Sequence, residues 1–243
     1  SGAFSVVEGS LAVGSVEVKD LESGSSGVSQ SVQGGADASH FSITSAGALS
    51  FSTAADFESP ADDDSDNVYE VTLEVSDGDK SATLDVSVTV LDAVEGRVVD
   101  GPLSGSSVFI DLDRDSVQDD DEPSVSSDEN GFFVVERMDA KEGFSPQIIS
   151  TGGVDTVTGK ELPNLALISD LPSDPTKEMA VTPLTTIVSA ATTPEAKAKV
   201  LTALGISGGV EELLTKDTWA AAQAGDESAK ELQRKNQQVG LIL

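Results

Sequence analysis

Tyr69-Glu70-Val71-Thr72-Leu73-Glu74-Val75, then Ser76-Asp77-Gly78-Asp79-Lys80, then Ala82-Thr83-Leu84-Asp85-Val86-Ser87-Val88-Thr89-Val90-Leu91 decide how the first third of the chain folds. Apolar and polar residues alternate with period two on both sides of an Asp-Gly turn, the pattern of two half-buried strands joined as a hairpin. Upstream, Phe41-Ser42-Ile43 and Ala48-Leu49-Ser50-Phe51 flank Ser45-Ala46-Gly47, which predicts a second hairpin. From Phe4 to about Leu91, short alternating runs broken by Gly, Ser and Asp predict an all-β sandwich.

Downstream, Ser106-Ser107-Val108-Phe109-Ile110 reads as a strand that runs directly into Asp111-Leu112-Asp113-Arg114-Asp115-Ser116-Val117-Gln118-Asp119-Asp120-Asp121-Glu122. Acidic side chains stand at loop positions 1, 3, 5, 9 and 12, with the backbone carbonyl of Val117 at position 7. EF-hand loops use this spacing to surround Ca²⁺ with hard oxygen ligands, the last glutamate being bidentate. Asp111, Asp113, Asp115, Val117, Asp119 and Glu122 are therefore candidate ligands. So many carboxylates at contact distance repel unless a cation sits among them. Position 6, ordinarily glycine, is Ser116. Pro123 and strand-like sequence follow, ending in the Ser127-Asp128-Glu129-Asn130-Gly131 turn and Phe132-Phe133-Val134-Val135, so no exiting helix is expected and the loop belongs to a β fold.

From Met179 the period becomes helical. Thr182-Pro183 and Thr193-Pro194 each read as an N-cap with proline at the first helical position, and Gly205 closes the second helix. Further helices are expected from Gly209 to Leu214, after Asp217, and from Asp226 through Gln238, ending in Val239-Gly240-Leu241-Ile242-Leu243. The boundaries that follow are 1–92 for the first β-sandwich, 93–172 for the second unit and 173–243 for a small helical bundle.

The 243 residues carry 14 Lys+Arg against 43 Asp+Glu, a formal net charge of -29. That balance repels phosphate backbones and anionic membranes and excludes nucleic acid as a partner. It also costs stability by self-repulsion unless cations neutralise part of it. With no cysteine there is no disulfide framework, and bound metal is left to supply cross-links. No apolar run is long enough for a transmembrane helix and Ser1-Gly2-Ala3-Phe4 does not begin a signal peptide, so the chain reads as an internal segment of a larger secreted or bacterial cell-surface protein, without direct membrane insertion.

Three stretches carry family resemblances. GGADASHFSI (34–43), GALSFSTAADFE (47–58), DNVYEVTLEVSDG (66–78) and VTVLD (88–92) together resemble a bacterial cadherin-like repeat. In that family calcium is held at the ends of an Ig-like sandwich by an N-terminal glutamate, an Asp-x-Glu motif, an Asp at a "VxD" strand end and linker aspartates. The resemblance places these ligands at Glu8, Asp56 and Glu58, Asp77, and Asp92. Glu8 lacks the following Asn of the family, and the linker LDAVEG keeps one aspartate of the usual string. Asp62-Asp63-Asp64-Ser65-Asp66-Asn67 forms a further acidic cluster next to Asp56 and Glu58 in sequence, for which a solvated loop is the competing reading. VFIDLDRDSVQDDDEP (108–123) and SSDENGFF (126–133) are similar to the smaller prealbumin-like sandwich of B-type repeats in bacterial adhesins, which implies a calcium loop that rigidifies. VTPLTTIVSAA, VLTALGI and LLTKDTW (181–219) resemble a helical region that follows such repeats in large secreted, RTX-type adhesins.

Catalysis finds little support. The single histidine, His40, has no cysteine or second histidine with which to form a nucleophile set, and the carboxylates lie in runs that suit calcium. Trp219 reads as a core residue of the helical bundle in preference to a ligand platform. Gly34-Gly35 and Gly208-Gly209 lack phosphate-loop spacing. The expected role is a non-enzymatic, calcium-stabilised segment of a large bacterial cell-surface adhesin that rigidifies and extends it, its partners being calcium ions and neighbouring adhesin domains. The alternative is a carbohydrate- or protein-binding module of an adhesin or of a secreted polysaccharide-degrading enzyme, with grooves by the loops after Ser25 or around Gly153-Val154-Asp155.

Overall fold

A computed structural model of the chain describes residues 2–18 and 28–240. The loop after Ser25 and the last three residues therefore lie outside the described residues. The fold is mainly β with several sheets, followed by helices, and it divides in sequence into two compact units between Ala93 and Val94.

In the first unit the strands are β1 (Gly2–Val7), β2 (Ala12–Ser15), β3 (Ser29–Gly34), β4 (Phe41–Ile43), β5 (Ala48–Phe51), β6 (Val68–Ser76) and β7 (Ser81–Leu91). One sheet has the order β1-β7-β6-β3 and the other β2-β5-β4. The β6–β7 hairpin pairs Tyr69 with Val88 and Val71 with Val86, all four buried, while Glu70, Ser87, Thr72 and Asp85 occupy the alternate positions. Period-two patterning thus becomes one dry and one polar face. Val13 from β2 and Leu49 and Phe51 from β5 complete the same core, where the Phe51 ring meets Phe41 in a stack at 4.8 Å and Tyr69 edge-on at 5.0 Å. His40 lies in a single 3₁₀ turn and packs its ring edge-on against Tyr69 at 5.6 Å, a packing role.

One pairing in the first unit is parallel. β1 lies beside β7 with Val7 opposite Leu91, so Glu8 and Asp92 follow at neighbouring strand ends although 84 residues separate them in the sequence.

The second unit holds β8 (Ala93–Val98), β9 (Leu103–Ser104), β10 (Ser107–Asp111), β11 (Ser124–Ser126), β12 (Phe132–Glu136), β13 (Gln147–Thr151), β14 (Val154–Asp155), β15 (Lys160–Glu161), β16 (Ala166–Asp170) and β17 (Met179–Val181). These form sheets of order β11-β10-β13-β16, β12-β8-β17 and β15-β14-β9. The helices are α1 (Pro183–Ser189), α2 (Pro194–Ala203), α3 (Val210–Thr215), α4 (Thr218–Gln223) and α5 (Glu227–Gly240). Both Thr-Pro pairs open helices. Thr182 accepts the Thr185 N–H and reciprocates through a capping box, and Thr193 accepts the Ala196 N–H.

Where the sequence separates 93–172 from 173–243, the structure places both in one unit. Two contacts explain this. β17, just before α1, pairs in parallel with β8 through Met179–Gly96, Ala180–Arg97 and Val181–Val98. β16 is an edge strand, and α1 satisfies its outer backbone groups with hydroxyls: Thr186 Oγ1 accepts the Ile168 N–H at 2.9 Å, Thr185 Oγ1 donates to the Ile168 carbonyl at 2.9 Å, and Ser189 Oγ accepts the Asp170 N–H at 2.9 Å. A helix lined with hydroxyls thereby closes a sheet edge that would otherwise leave buried amides unpaired. Leu184 and Val188 of α1 form a separate helical core with Leu201, Leu213, Leu232 and Val239. The buried Asn236 ties it together by accepting the Leu184 N–H and donating to Thr218.

Candidate metal centre

Asp111 is the last residue of β10, which fixes the first acidic side chain of the loop on a rigid strand end. It is fully buried, with Oδ1 accepting the Arg114 N–H at 2.6 Å and Oδ2 accepting the Ser116 N–H at 3.1 Å and the Gln147 Nε2 at 2.8 Å. The amides can turn back onto Asp111 because Arg114 and Ser116 both adopt φ of +64°, the left-handed region. Ser116 thus takes a positive φ at the position where calcium loops ordinarily carry glycine. At the other end Glu122 is 4 % exposed and bridges the loop, accepting the Leu112 N–H at 2.7 Å and the Asp119 N–H at 3.1 Å.

Between these two buried carboxylates, one oxygen each of Asp111, Asp113 and Glu122 lie within 4.8 Å of one another, as do oxygens of Asp113, Asp115 and Asp119. Asp113 joins the two groups. All five carboxylates singled out by spacing therefore meet in two overlapping triads. Val117 has an exposed side chain and turns its N–H to Asp115 Oδ1 at 2.7 Å.

The donor set is all carboxylate oxygen, the chemistry preferred by Ca²⁺. A cationic group already sits there: the Lys141 ammonium stands 3.0 Å from Asp113, 3.3 Å from Asp119 and 3.6 Å from Asp121. It holds the Asp113 carboxyl below the usual carboxylate range, and these neighbours raise its own pKa. By donor chemistry the loop fits a calcium ion. Sequence reading missed Lys141 and Gln147, which approach from other segments and obey no spacing rule.

The second group is built by the β1–β7 register. Glu8, Glu58 and Asp92 each place a carboxylate oxygen within 4.8 Å of the others. Glu8 is buried and accepts the Phe57 N–H and the Ala93 N–H, each at 2.8 Å. Loss of hydration first, and the Glu8 charge second, push the Glu58 carboxyl above its ordinary range, with Asp92 and Asp56 adding to the effect. This too is a hard-oxygen donor set whose mutual repulsion a dication relieves. Asp56 accepts the Ser59 N–H and acts on Glu58 through charge, outside the triad.

Asp77 lies elsewhere. It sits in the turn before β7, whereas Asp92 follows that strand's far end, eleven residues or roughly 35 Å away. Asp77 Oδ1 accepts the Asp79 N–H and Lys80 N–H, and those bonds lower its pKa.

Asp62, Asp64 and Asp66 form a third triad, distinct from Glu8, Glu58 and Asp92. Asp62 is buried, and the charge of Asp66 is the main cause that raises the Asp64 carboxyl. Around Gly153-Val154-Asp155 the chain forms β14, and Asp155 spends its oxygens on Val157 and Thr158 of its own turn.

Trp219 departs from its expected place. Among the described residues it is not part of the helical core, and it lines an open groove with Phe132, Arg97, Asn130, Asp128 and Gln223. There the Arg97 guanidinium sits 5.1 Å from the Phe132 ring centroid.

Among the described residues no helix is long and apolar enough to cross a membrane. No protein-family model and no curated protein matches the chain. Solved structures that align with it include extracellular cadherin domains 3–6 of protocadherin gamma B2, with a TM-score of 0.30 and 11% identity over 70% of this chain and 45% of that one. Domains EC1-2 of human protocadherin-24 align with a TM-score of 0.31 and 15% identity, covering 70% and 94%. Drosophila N-cadherin EC1-4 aligns with a TM-score of 0.30 and 15% identity, covering 63% and 44%. The chain therefore spans less than half the length of the first and third of these.

Proposed function

We propose that this chain is a calcium-stabilised segment of a large bacterial cell-surface adhesin, in which a cadherin-like sandwich and a smaller prealbumin-like unit rigidify and extend the protein. The observation that carries the reading is the gathering of Asp111, Asp113, Asp115, Asp119 and Glu122 around a loop anchored by two buried carboxylates. A net charge of -29 without a single cysteine supports it, because cations then supply both neutralisation and cross-linking. The triad of Glu8, Glu58 and Asp92 would bind a second ion across the two strand ends and fix the residues that leave the first unit. Such an ion ties the chain exit to the sandwich, where interdomain connections otherwise leave domains free to move. A secreted or cell-surface setting, where calcium is millimolar, suits sites of this class.

Thermal melts in EDTA and in millimolar calcium test stabilisation. Binding to the folded state alone contributes about 2.7 kcal/mol at a hundredfold excess over Kd, so the melts should separate by several degrees. Superimposed melts overturn the proposal. Small-angle scattering with and without calcium tests stiffening, and an unchanged maximum dimension and flexibility would remove it.

The groove at Trp219 favours a second reading, a carbohydrate-binding module. A half-exposed indole beside Phe132, Asn130 and Asp128 offers a stacking face with hydrogen-bonding rims. Glycan-array binding by the native chain that is lost in Trp219→Ala would support it, and no binding by the native chain would end it.

A further inference from the structure

We propose that Lys141 is the loop's resident counter-ion, a tethered ammonium that shapes the acidic loop without metal and that calcium must expel. The inference rests on the reading of Asp111–Glu122 as a calcium loop and concerns how that site is regulated. Seven acidic residues lie between Asp111 and Glu122, with Arg114 as the single basic one. Arg114 does not neutralise the carboxylate cluster, because its guanidinium is engaged with Asp170 and its Nε donates to the Ser145 carbonyl at 2.8 Å. The cation beside these carboxylates comes instead from nineteen residues beyond the loop. Lys141 places its ammonium 3.0 Å from Asp113, the residue shared by both carboxylate triads, and 3.3 Å from Asp119.

The tether is independent of the side chain. The Lys141 N–H donates to the Leu112 carbonyl at 3.1 Å, and the Lys141 carbonyl accepts the Phe144 N–H at 3.1 Å. The backbone thus stays against the loop whichever way the side chain points. An ammonium supplies one charge and three donors, whereas a dication needs six to eight oxygen ligands, including the carboxylates Lys141 holds. An ammonium 3.0 Å from Asp113 and 3.3 Å from Asp119 repels a dication bound among the same carboxylates, so calcium entry drives the lysine out to solvent. This competition keeps the metal-free loop near its binding shape and raises the calcium concentration at which it fills. The loop then fills, and stiffens the segment, only where calcium is as high as it is outside cells.

The test follows the amide resonances of Leu112, Arg114 and Asp119 during a calcium titration of the full chain. Lys141→Gln should reach its midpoint at a calcium concentration about three- to tenfold lower, since each partly exposed ion pair lost corresponds to a factor of a few. Lys141→Arg, which keeps the charge, should retain a midpoint near the native one. In the native chain the Lys141 ammonium resonance should be observable without calcium, protected by its carboxylates, and should be lost to water exchange at saturation. Equal midpoints for native and Lys141→Gln, with the loop amides shifting in both, overturn the inference while leaving the calcium loop standing. Loop amides that respond in neither chain overturn the calcium loop and the inference together.

Discussion

The carboxylate of Glu8 accepts the backbone N–H of Ala93 at 2.8 Å, 85 residues along the chain. Its second oxygen accepts the Phe57 N–H at 2.8 Å, so one buried side chain joins the end of β1, the segment that carries Glu58, and the residue that follows Asp92. Glu8→Ala leaves both amides without this acceptor and should cost about 2–4 kcal/mol in EDTA, measured by urea unfolding of the full chain. Glu8→Gln keeps one acceptor oxygen and should cost less in EDTA, yet lose much of the calcium-dependent stabilisation. Equal calcium responses in Glu8→Gln and the native chain would show that Glu8 is structural and holds no ion.

Glu122→Gln separates the loop from the strand-end triad. The native carboxylate accepts Leu112 and Asp119 amides through its two oxygens. A bidentate glutamate supplies two calcium ligands, and the amide supplies one neutral oxygen. Calorimetry should show affinity at the loop falling at least about tenfold, or roughly 1.4 kcal/mol, with the Glu8 triad unaffected. Unchanged loop affinity would remove Glu122 from the ligand set.

Asp100 gives a pH dependence unconnected with calcium. Its Oδ1 is buried without a hydrogen-bond partner among the described residues, and a Cβ at Gly240 would lie 2.7 Å from its Oδ2. Burial first, and the Asp155 charge second, push its carboxyl up to about 6. A carboxyl raised in the folded state destabilises when ionised: the penalty is absent below the unfolded value near 4, grows as pH rises, and is complete above about 6. Asp100→Asn should therefore stabilise the chain at pH 7 and change little near pH 4. The shift of about two units would correspond to roughly 3 kcal/mol for a fully buried group; the partial exposure of Asp100 reduces the expectation to about 1 kcal/mol. Melts across this range that show no pH-dependent difference would reject the assignment.

Gly96→Ala tests the pairing that fuses the helical segment to the second unit. A Cβ there would come within 2.6 Å of the Met179 carbonyl oxygen and 2.9 Å of the Phe133 ring. Backbone cannot yield as a flexible side chain can, so a loss of about 1–3 kcal/mol is expected in chemical denaturation. A neutral substitution would mean that β8 and β17 separate at little cost.

The features legible in the residues alone were local. Alternation at Tyr69–Val75 and Ala82–Leu91 is carried by residues two apart, and it set the buried face of β6 and β7. Thr182 and Thr193 fixed helix starts because a capping hydroxyl needs only the amide three residues on. The gathering of the five carboxylates of Asp111–Glu122 was legible because they lie in one contiguous segment. Tertiary structure decided what depends on pairings far apart in sequence. The parallel β1–β7 register brought Glu8 to Asp92 and left Asp77 at the other end of β7. The pairing of β17 with β8 joined the residues just before α1 to the sheet of β8. Packing of the 141–147 segment against the loop delivered Lys141 and Gln147 to the carboxylates. The physical reason is that propensity, capping and contiguous ligands act within a few residues, whereas a strand edge or an acidic cluster is satisfied by whichever distant segment the whole fold brings to it.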